Sequence, residues 1–325
     1  MASARRTGTN ETTNSFGNAG RDYTSISVWE SATDVNLVAT TTSYVLQGYA
    51  DSASYNQGNI AVADATTSTS YFRIIENAPG EAFELAYTHA TITQVLAGFE
   101  NNTVFQSHES GGTFTVSRSG GNSTGSLYGI RQNSAGHTIG LLIKDITNAG
   151  TGLGTGYNVA GGPSGAIDCV IRDCKSNGFN FGANTGNFAY NCTAIGNATG
   201  FNVTSTTPEA KNCLGSANTT ADFAGTWGTA NNNASSDTTA PGTSSRISQT
   251  FTFEADGYHL SPSDAGAQDF GADLSGDAVF PFDDDFDATL WSGTWDIGAT
   301  QATSVPGGEV LQDILGYGGV IPFPR

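Results

Sequence analysis

Gly156-Tyr157-Asn158-Val159, Gly178-Phe179-Asn180-Phe181 and Gly200-Phe201-Asn202-Val203 are three near-copies of one phrase. A worn fourth copy, Ala221-Asp222-Phe223, keeps the beat, so Tyr157, Phe179, Phe201 and Phe223 stand 22 residues apart. A second phrase recurs beside it: Ile143-Lys144-Asp145-Ile146, Ile171-Arg172-Asp173-Cys174, Ala189-Tyr190-Asn191-Cys192 and Ala210-Lys211-Asn212-Cys213. Repeats of roughly 20–30 residues built on short strands mean a solenoid, in which each coil buries its apolar face on the next. The expected fold is therefore all-β, a parallel β-helix with an internal aromatic column. In the second phrase the apolar residues point inward and Lys144, Arg172, Tyr190 and Lys211 outward. Asp145, Asp173, Asn191 and Asn212 fall where the chain bends, and there their side chains can bond the turn backbone.

Composition agrees with many short strands joined by tight turns. Charged residues make up 13 % of the 325, well below the usual quarter, and 42 glycines help to fill the gap. Gly and Asn tolerate positive φ, and strong helix formers are scarce. The net charge is −18, from 12 basic and 30 acidic residues. No basic cluster exists to neutralise phosphates, which argues against nucleic acid, and the charge argues against an anionic membrane surface. Met1-Ala2-Ser3-Ala4-Arg5-Arg6 leads into a polar stretch without the apolar core of a secretory signal, so synthesis without export is expected. No run of about 18 apolar residues offers a membrane span.

Along the chain, residues 1–20 read as an extended polar arm. A short helix is expected within 21–34, capped by Thr24, with Ile26 and Trp29 on one face and Ser27-Val28-Trp29-Glu30 resembling a capping box. Such a helix suits a lid over the first coil, whose apolar face and free edge need cover. Strand-like runs follow at Tyr44–Tyr49, Asn59–Ala63, Tyr71–Ile75, Ala90–Leu96, Thr103–Gln106, Thr113–Ser117, Leu127–Arg131 and Thr138–Lys144. The clearest coils span 138–225, residues 226–246 form a low-complexity loop, and 247–300 regain apolar content as C-terminal coils or a cap. Residues 301–325 are an apolar, Gly/Pro-rich tail. Its Ile314, Leu315, Tyr317, Val320, Ile321 and Phe323 are partner-binding candidates, because an exposed apolar run is normally a contact surface. Two roles stay open for it: a cap on the last coil, or a peg inserted into a partner subunit.

Arg21-Asp22-Tyr23-Thr24-Ser25-Ile26 with Trp29-Glu30, and Tyr71-Phe72-Arg73-Ile74-Ile75 with Ala78-Pro79-Gly80-Glu81, resemble the start of a family of right-handed parallel β-helix proteins encoded among tailed-phage structural genes. The resemblance continues through Tyr258-His259-Leu260, Ala272-Asp273-Leu274-Ser275-Gly276-Asp277, Pro281-Phe282 and Gly293-Thr294-Trp295-Asp296-Ile297-Gly298-Ala299, and covers about residues 21–300. It departs at Asp285-Phe286-Asp287-Ala288 followed by Trp291, where the family carries Asp-x-Asp-Gly and then Arg. It departs again after Ala299, where the family tends to stop and this chain runs on.

Enzymes share this architecture, so a catalytic set is one expectation to weigh against the residues. Glycoside hydrolysis needs two carboxyls about 5–5.5 Å apart for retention or about 6.5–9.5 Å for inversion, and Asp145 and Asp173 can stack one coil apart, at about 4.8 Å. A structural ladder continued by Asn191 and Asn212 explains all four residues, whereas a catalytic pair explains two. His89, His108, His137 and His259 are scattered; His108-Glu109 and His137 could meet, but each reads as a surface or packed residue before a general base. Asp283, Asp285 and Asp287, in the densest acidic run, are the candidate calcium ligands, but the run lacks the glycine and closing Glu of an EF-hand. Cys169, Cys174, Cys192 and Cys213 lack zinc-ligand pairing and read as buried thiols, three of them in one repeat phase, with an inter-coil disulfide as the alternative.

The reading that follows is a non-enzymatic virion protein without cofactor: a capsid decoration protein, head fibre or spike-like subunit. Its partners are other virion proteins, and it is a homo-oligomer, with a trimer expected because spikes of this kind are commonly threefold. A tailspike-type protein that binds or depolymerises a host glycan is the alternative, and a bacterial surface adhesin the third.

Overall fold

The computed structural model describes residues 6–57, 59–87, 94–98, 100–107, 112–119, 124–205 and 207–302. Among these residues short β-rich runs alternate with positions at positive φ, and that alternation sets the architecture. The strands form three sheets in which every pairing is parallel. Sheet 1 has nine strands, from Glu11–Phe16 to Thr229–Asn231. Sheet 2 has seven, from Ala82–Tyr87 to Ala234–Ser235, and sheet 3 has seven, from Ile60–Val62 to Ala221–Ala224. The chain visits the sheets in turn, for example Ser164–Ile167, Val170–Arg172, Asn177–Phe181 and back to sheet 1 at Phe188–Tyr190. The protein is a three-sided parallel β-solenoid.

Inside, Tyr157, Phe179, Phe201 and Phe223 stand in register on sheet 3. Phe179 and Phe201 lie 4.7 Å apart and 3° from parallel, Phe201 and Phe223 4.7 Å apart and 10° from parallel, and Tyr157 meets Phe179 edge-on. The column is a direct consequence of the 22-residue beat. In sheet 1 the coil shortens instead, from 28 residues (Gly136 opposite Ser164) to 23 (Gly165 opposite Phe188), 21 (Phe188 opposite Glu209) and 20 (Glu209 opposite Thr229).

That drift splits the second phrase between two corners. Asp145 and Asp173 occupy the corner after sheet 2, at φ 56° and 57°, and Gly196 and Ala217 continue it. Asn191 and Asn212 occupy the corner after sheet 1, at φ 47° and 52°, in line with Asp168 and Asn232. One expected ladder is therefore two. The thiols regroup likewise: Cys169, Cys192 and Cys213 share a phase, linked by Thr193 N–H to Cys169 O (2.9 Å) and Leu214 N–H to Cys192 O (2.8 Å). Cys174 sits at the other corner, where its N–H donates to Asn197 Oδ1. All four are free and buried.

Strand placement differs in detail from the sequence reading. The run Thr138–Lys144 is two strands, Gly136–Ile139 and Leu141–Lys144, because Gly140 at φ 64° turns the chain from sheet 1 to sheet 2. Within 1–20, Glu11–Phe16 form the outermost strand of sheet 1, paired with Ser43–Gly48. Helix α1 (Ile26–Ala32) buries Ile26 and Trp29, and a single turn, α2 (Leu37–Thr40), follows. Ser25, not Thr24, is the N-cap residue of α1, and it makes no side-chain capping bond. Glu30 is not a capping-box partner; its Oε1 accepts from Ala63 N–H and pairs with Arg73. Arg73 is fully buried: Nε donates to Glu100 Oε1 at 2.8 Å and Nη1 to Glu30 O at 2.9 Å. This ion pair fastens α1 to the first coils.

Residues 247–302 add no strand to the sheets and hold two isolated antiparallel bridges, Phe253 to Leu260 and Asp284 to Leu290. Where further coils or a cap were expected, the chain doubles back along the outside of the solenoid as a strap. Leu274, Phe282, Trp291 and Trp295 cover Ile74, Val104, Ile139 and Ile167 on the outer face of sheet 1. Phe286 and Ala299 cover Leu142 and Val170 on sheet 2, and Leu260 and Ile297 cover Leu214 and Ala234. The physical reason lies in sheets 1 and 2 themselves: their outer faces are apolar, and a parallel sheet buried on both faces needs a second layer.

Candidate functional site

The densest titratable chemistry on the surface lies where two loops of the strap meet. His259 is held from both sides, its Nδ1 bonded to Asp256 Oδ2 and its Nε2 to Asp287 Oδ2 at 2.8 Å. Burial works against the imidazolium, but the bonds from Asp287 and Asp256 and their charges outweigh it and push His259 up to about 9. Burial also opposes charge on Asp256, yet hydrogen bonds from His259 and from the Tyr258 and His259 amides hold it below the ordinary carboxylate range. Arg172 of sheet 2 donates from Nη1 to Asp256 O (2.8 Å), which ties this loop to the solenoid. A cleft of about 340 Å³ opens beside it, lined by Glu254, His259, Leu260, Pro262, Asp285, Asp287, Thr289 and Gln301.

Asp285, Asp287 and His259 in this cleft are committed to structure. Asp285 Oδ1 accepts from the Asp287 and Thr289 N–H groups, and Oδ2 accepts from Gln301 N–H. A doubly protonated imidazole between two carboxylates has no lone pair to serve as a general base. Of the candidate calcium ligands, Asp285 is spent on the backbone and Asp287 on His259, while Asp283 is buried with its Oδ1 unbonded and its backbone carbonyl accepting from the Trp291 backbone N–H. Among the described residues no group of three or more His, Cys, Asp or Glu side chains is placed to hold a metal ion.

A second polar cluster secures the strap on sheet 1. Lys211 Nζ pairs with Asp277 Oδ2 (2.7 Å) and donates to the hydroxyl of Tyr190 (3.0 Å), which itself donates to Glu209 Oε2 (2.6 Å). Burial, then the Glu209 bond, raises the Tyr190 phenol far above its usual value, so it stays a donor. Asp296 lies buried within the strap itself, and burial raises it to about 6 despite bonds from the Asp269 and Ala302 amides.

Sheet 3 is the side that the strap's apolar clusters do not reach. Its outward row reads Arg131, Asn158, Asn180, Asn202 and Ala224 in register. The amides chain along the axis, Asn202 Nδ2 donating to Asn180 Oδ1 and Asn180 Nδ2 to Asn158 Oδ1, both at 2.7 Å. That row carries no carboxylate on a chain of net charge −18.

Asp145 and Asp173 do stack at one corner, and Asp173 pairs with Arg172 Nε at 2.7 Å. His137 packs against Phe280 (5.1 Å) and Phe188 with Nδ1 beside Arg6, and burial followed by the Arg6 charge pushes it down to about 3. His89, His108 and the tail residues Ile314, Leu315, Tyr317, Val320, Ile321 and Phe323 lie outside the described residues. Sequence reasoning missed the clasp residues Arg172, Lys211, Asn212 and His259 as a set. The available signal was strands such as Phe188–Tyr190, buried on both faces where a two-residue alternation was expected. No family model, curated protein or solved structure matches the chain.

Proposed function

We propose that the protein is a non-enzymatic structural component of a tailed-phage particle: a decoration protein, head fibre or spike-like subunit, made in the host cytoplasm and incorporated in the virion. In this reading the solenoid is a right-handed parallel β-helix, the hand that parallel crossovers take almost without exception. Helix α1 is the lid of its first coil. The observation that carries the reading is the strap. His259, Asp277, Asp285 and Asp287 are spent on clasping two faces of the solenoid, which gives a rigid rod and leaves the cleft beside His259 without a free imidazole. The segments that carry the resemblance to phage β-helix proteins supply that clasp, through Leu260, Leu274, Asp277, Trp295 and Ile297.

The attachment surfaces lie at the two ends of the rod. At one, Val28, Val35 and Val38 are 58 %, 40 % and 41 % exposed around α1 and α2; at the other, Ala302 packs with Leu214 and Ala234, and the apolar stretch 303–325 follows it in sequence. Capsid or tail proteins are the partners, and association of copies in threes suits a spike. The test is particle purification with imaging: the chain is expected in fixed stoichiometry at a symmetric position. Particles assembled at normal yield without it would reject the reading.

A tailspike-type role in binding host polysaccharide is the second reading, favoured by the uncharged amide row on sheet 3. Incubation with host surface polysaccharide, read by affinity electrophoresis and by release of reducing ends or unsaturated sugars, separates the two.

A further inference from the structure

We propose that Lys211 and Asp277 condense into an amide, so that a covalent bridge made by the folded chain itself fastens the strap to sheet 1. Lys211 ends the strand Glu209–Lys211 of sheet 1, and Asp277 lies in the strap, 66 residues on. Folding brings them into contact: Lys211 Nζ stands 2.7 Å from Asp277 Oδ2 and 3.2 Å from Glu209 Oε2. The amine thus has a carboxyl to attack on one side and a proton acceptor on the other, the arrangement that activates a nucleophile. Lys175 shows the contrast, since its Nζ is spent on the backbone carbonyls of Asn148 and Gly150.

The far side of the Asp277 carboxyl is equipped as well. Its Oδ1 accepts from the Val279 N–H at 2.8 Å and from the Phe280 N–H at 3.1 Å. Two amides aimed at that oxygen can hold the negative charge that develops when an amine adds to Cγ. The side chains of Lys211 and Asp277 are only 13 % and 9 % exposed. Lys211 Nζ lies 4.7 Å from the Tyr190 ring centroid, and Phe188 packs between Tyr190 and Phe280, so aromatic rings screen the pair from water.

The atoms balance without an added reagent. Burial works against charge on Asp277, but Lys211 and the Val279 and Phe280 amides hold it below the ordinary carboxylate range, so the resting state is an ion pair. The first step is transfer of one ammonium proton to Oδ2 across the 2.7 Å contact, which leaves a neutral amine and a carboxylic acid. The nitrogen lone pair adds to Cγ, and the C=O π pair moves onto Oδ1. Glu209 takes a second proton from the nitrogen and returns it to Oδ2. The Cγ–Oδ2 bond breaks, Oδ2 leaves as water with both protons, and Oδ1 recovers its double bond. The third proton stays on the amide nitrogen, and Glu209 ends as it began. Condensation of free amine and acid is unfavourable in water, but fixed contact is equivalent to an effective concentration of about 10⁵–10⁸ M. The reaction happens once per chain, and it makes the clasp permanent whatever the rod is mounted on.

The test is intact-mass spectrometry of the full folded chain, followed by peptide mapping. The expected result is a mass one water below that of the sequence, with a branched peptide joining Lys211 to Asp277. Lys211→Arg keeps a cation beside Asp277 but no nucleophilic amine, so it should melt cooperatively and show the full sequence mass. Asp277→Asn should close the same bond with loss of ammonia in place of water. Glu209→Gln should slow closure by about a hundredfold or more, read as the fraction bridged at successive times after synthesis. A folded wild-type chain at full sequence mass overturns the proposal and leaves the contact an ion pair only. Loss of water that maps to other residues overturns it too, as does Glu209→Gln closing as fast as wild type.

Discussion

The side chain of Asn212 holds both backbone groups of Ala272: Nδ2 donates to Ala272 O at 2.7 Å, and Oδ1 accepts from Ala272 N–H at 2.8 Å. The amide acts as one more peptide unit, and it pins the strap to the corner between sheets 1 and 2. One coil on, Asn232 repeats half of the contact through Nδ2 to Phe270 O. A residue that reads in sequence as turn chemistry therefore also joins the two layers.

Asn212→Ala is expected to cost about 2–3 kcal/mol, since it removes two buried hydrogen bonds and places Ala at φ 52°. Asn212→Gly keeps the backbone conformation and should recover about 1 kcal/mol of that loss. Urea denaturation checks the order, and limited proteolysis should cut within 247–302 first.

Phe201→Ala is expected to lose about 3–5 kcal/mol, because the ring is stacked on both sides and the cavity cannot collapse in a rigid ladder. Phe223→Ala, stacked on one side, should lose less. Equal losses in denaturant melts would show that the column does not act as a stack.

Glu100→Ala should cost about 3–5 kcal/mol by leaving the buried Arg73 guanidinium without its main counter-charge. The double change Arg73→Met with Glu100→Leu should cost markedly less, because it leaves no orphaned charge. The readout is thermal melting together with amide exchange in α1.

Stability should fall as pH rises from about 6.5 through about 9. The folded state raises His259 above its ordinary value, so the protonated clasp is fully present below the unfolded pKa and is lost as pH passes the folded one. His259→Gln should flatten the Tm profile over that window. A wild-type profile that is already flat from pH 6.5 to 9 would refute the clasp.

The four thiols should resist Ellman's reagent in the native protein and react fully in denaturant. All four are buried away from the reagent, and burial raises Cys174 to about 12 and Cys192 well above its usual value. Rapid labelling of one thiol in the native state would show that its corner opens.

How much was legible follows from which interactions are periodic. The 22-residue recurrence of Tyr157, Phe179, Phe201 and Phe223 is fixed by stacking one coil on the next, so the sequence displays it and the sheet-3 register repeats it. The second phrase misled because any strand that ends in a left-handed corner reads apolar–polar–Asn/Asp–apolar. Asp173 and Asn191 therefore look equivalent although they turn different corners. Only the drift in coil length, invisible without strand pairing, separates them.

The sequence by itself determined that this chain stacks short strands around an aromatic interior, because local turn chemistry and coil-to-coil packing both act at a fixed chain spacing. The tertiary structure alone decided that residues 247–302 run back outside that stack, because contacts such as Arg172 to Asp256, Lys211 to Asp277 and Asn212 to Ala272 join positions about 60 to 84 residues apart with no period to announce them. It also decided that His259 stands between Asp256, three residues away, and Asp287, which folding brings to its other ring nitrogen.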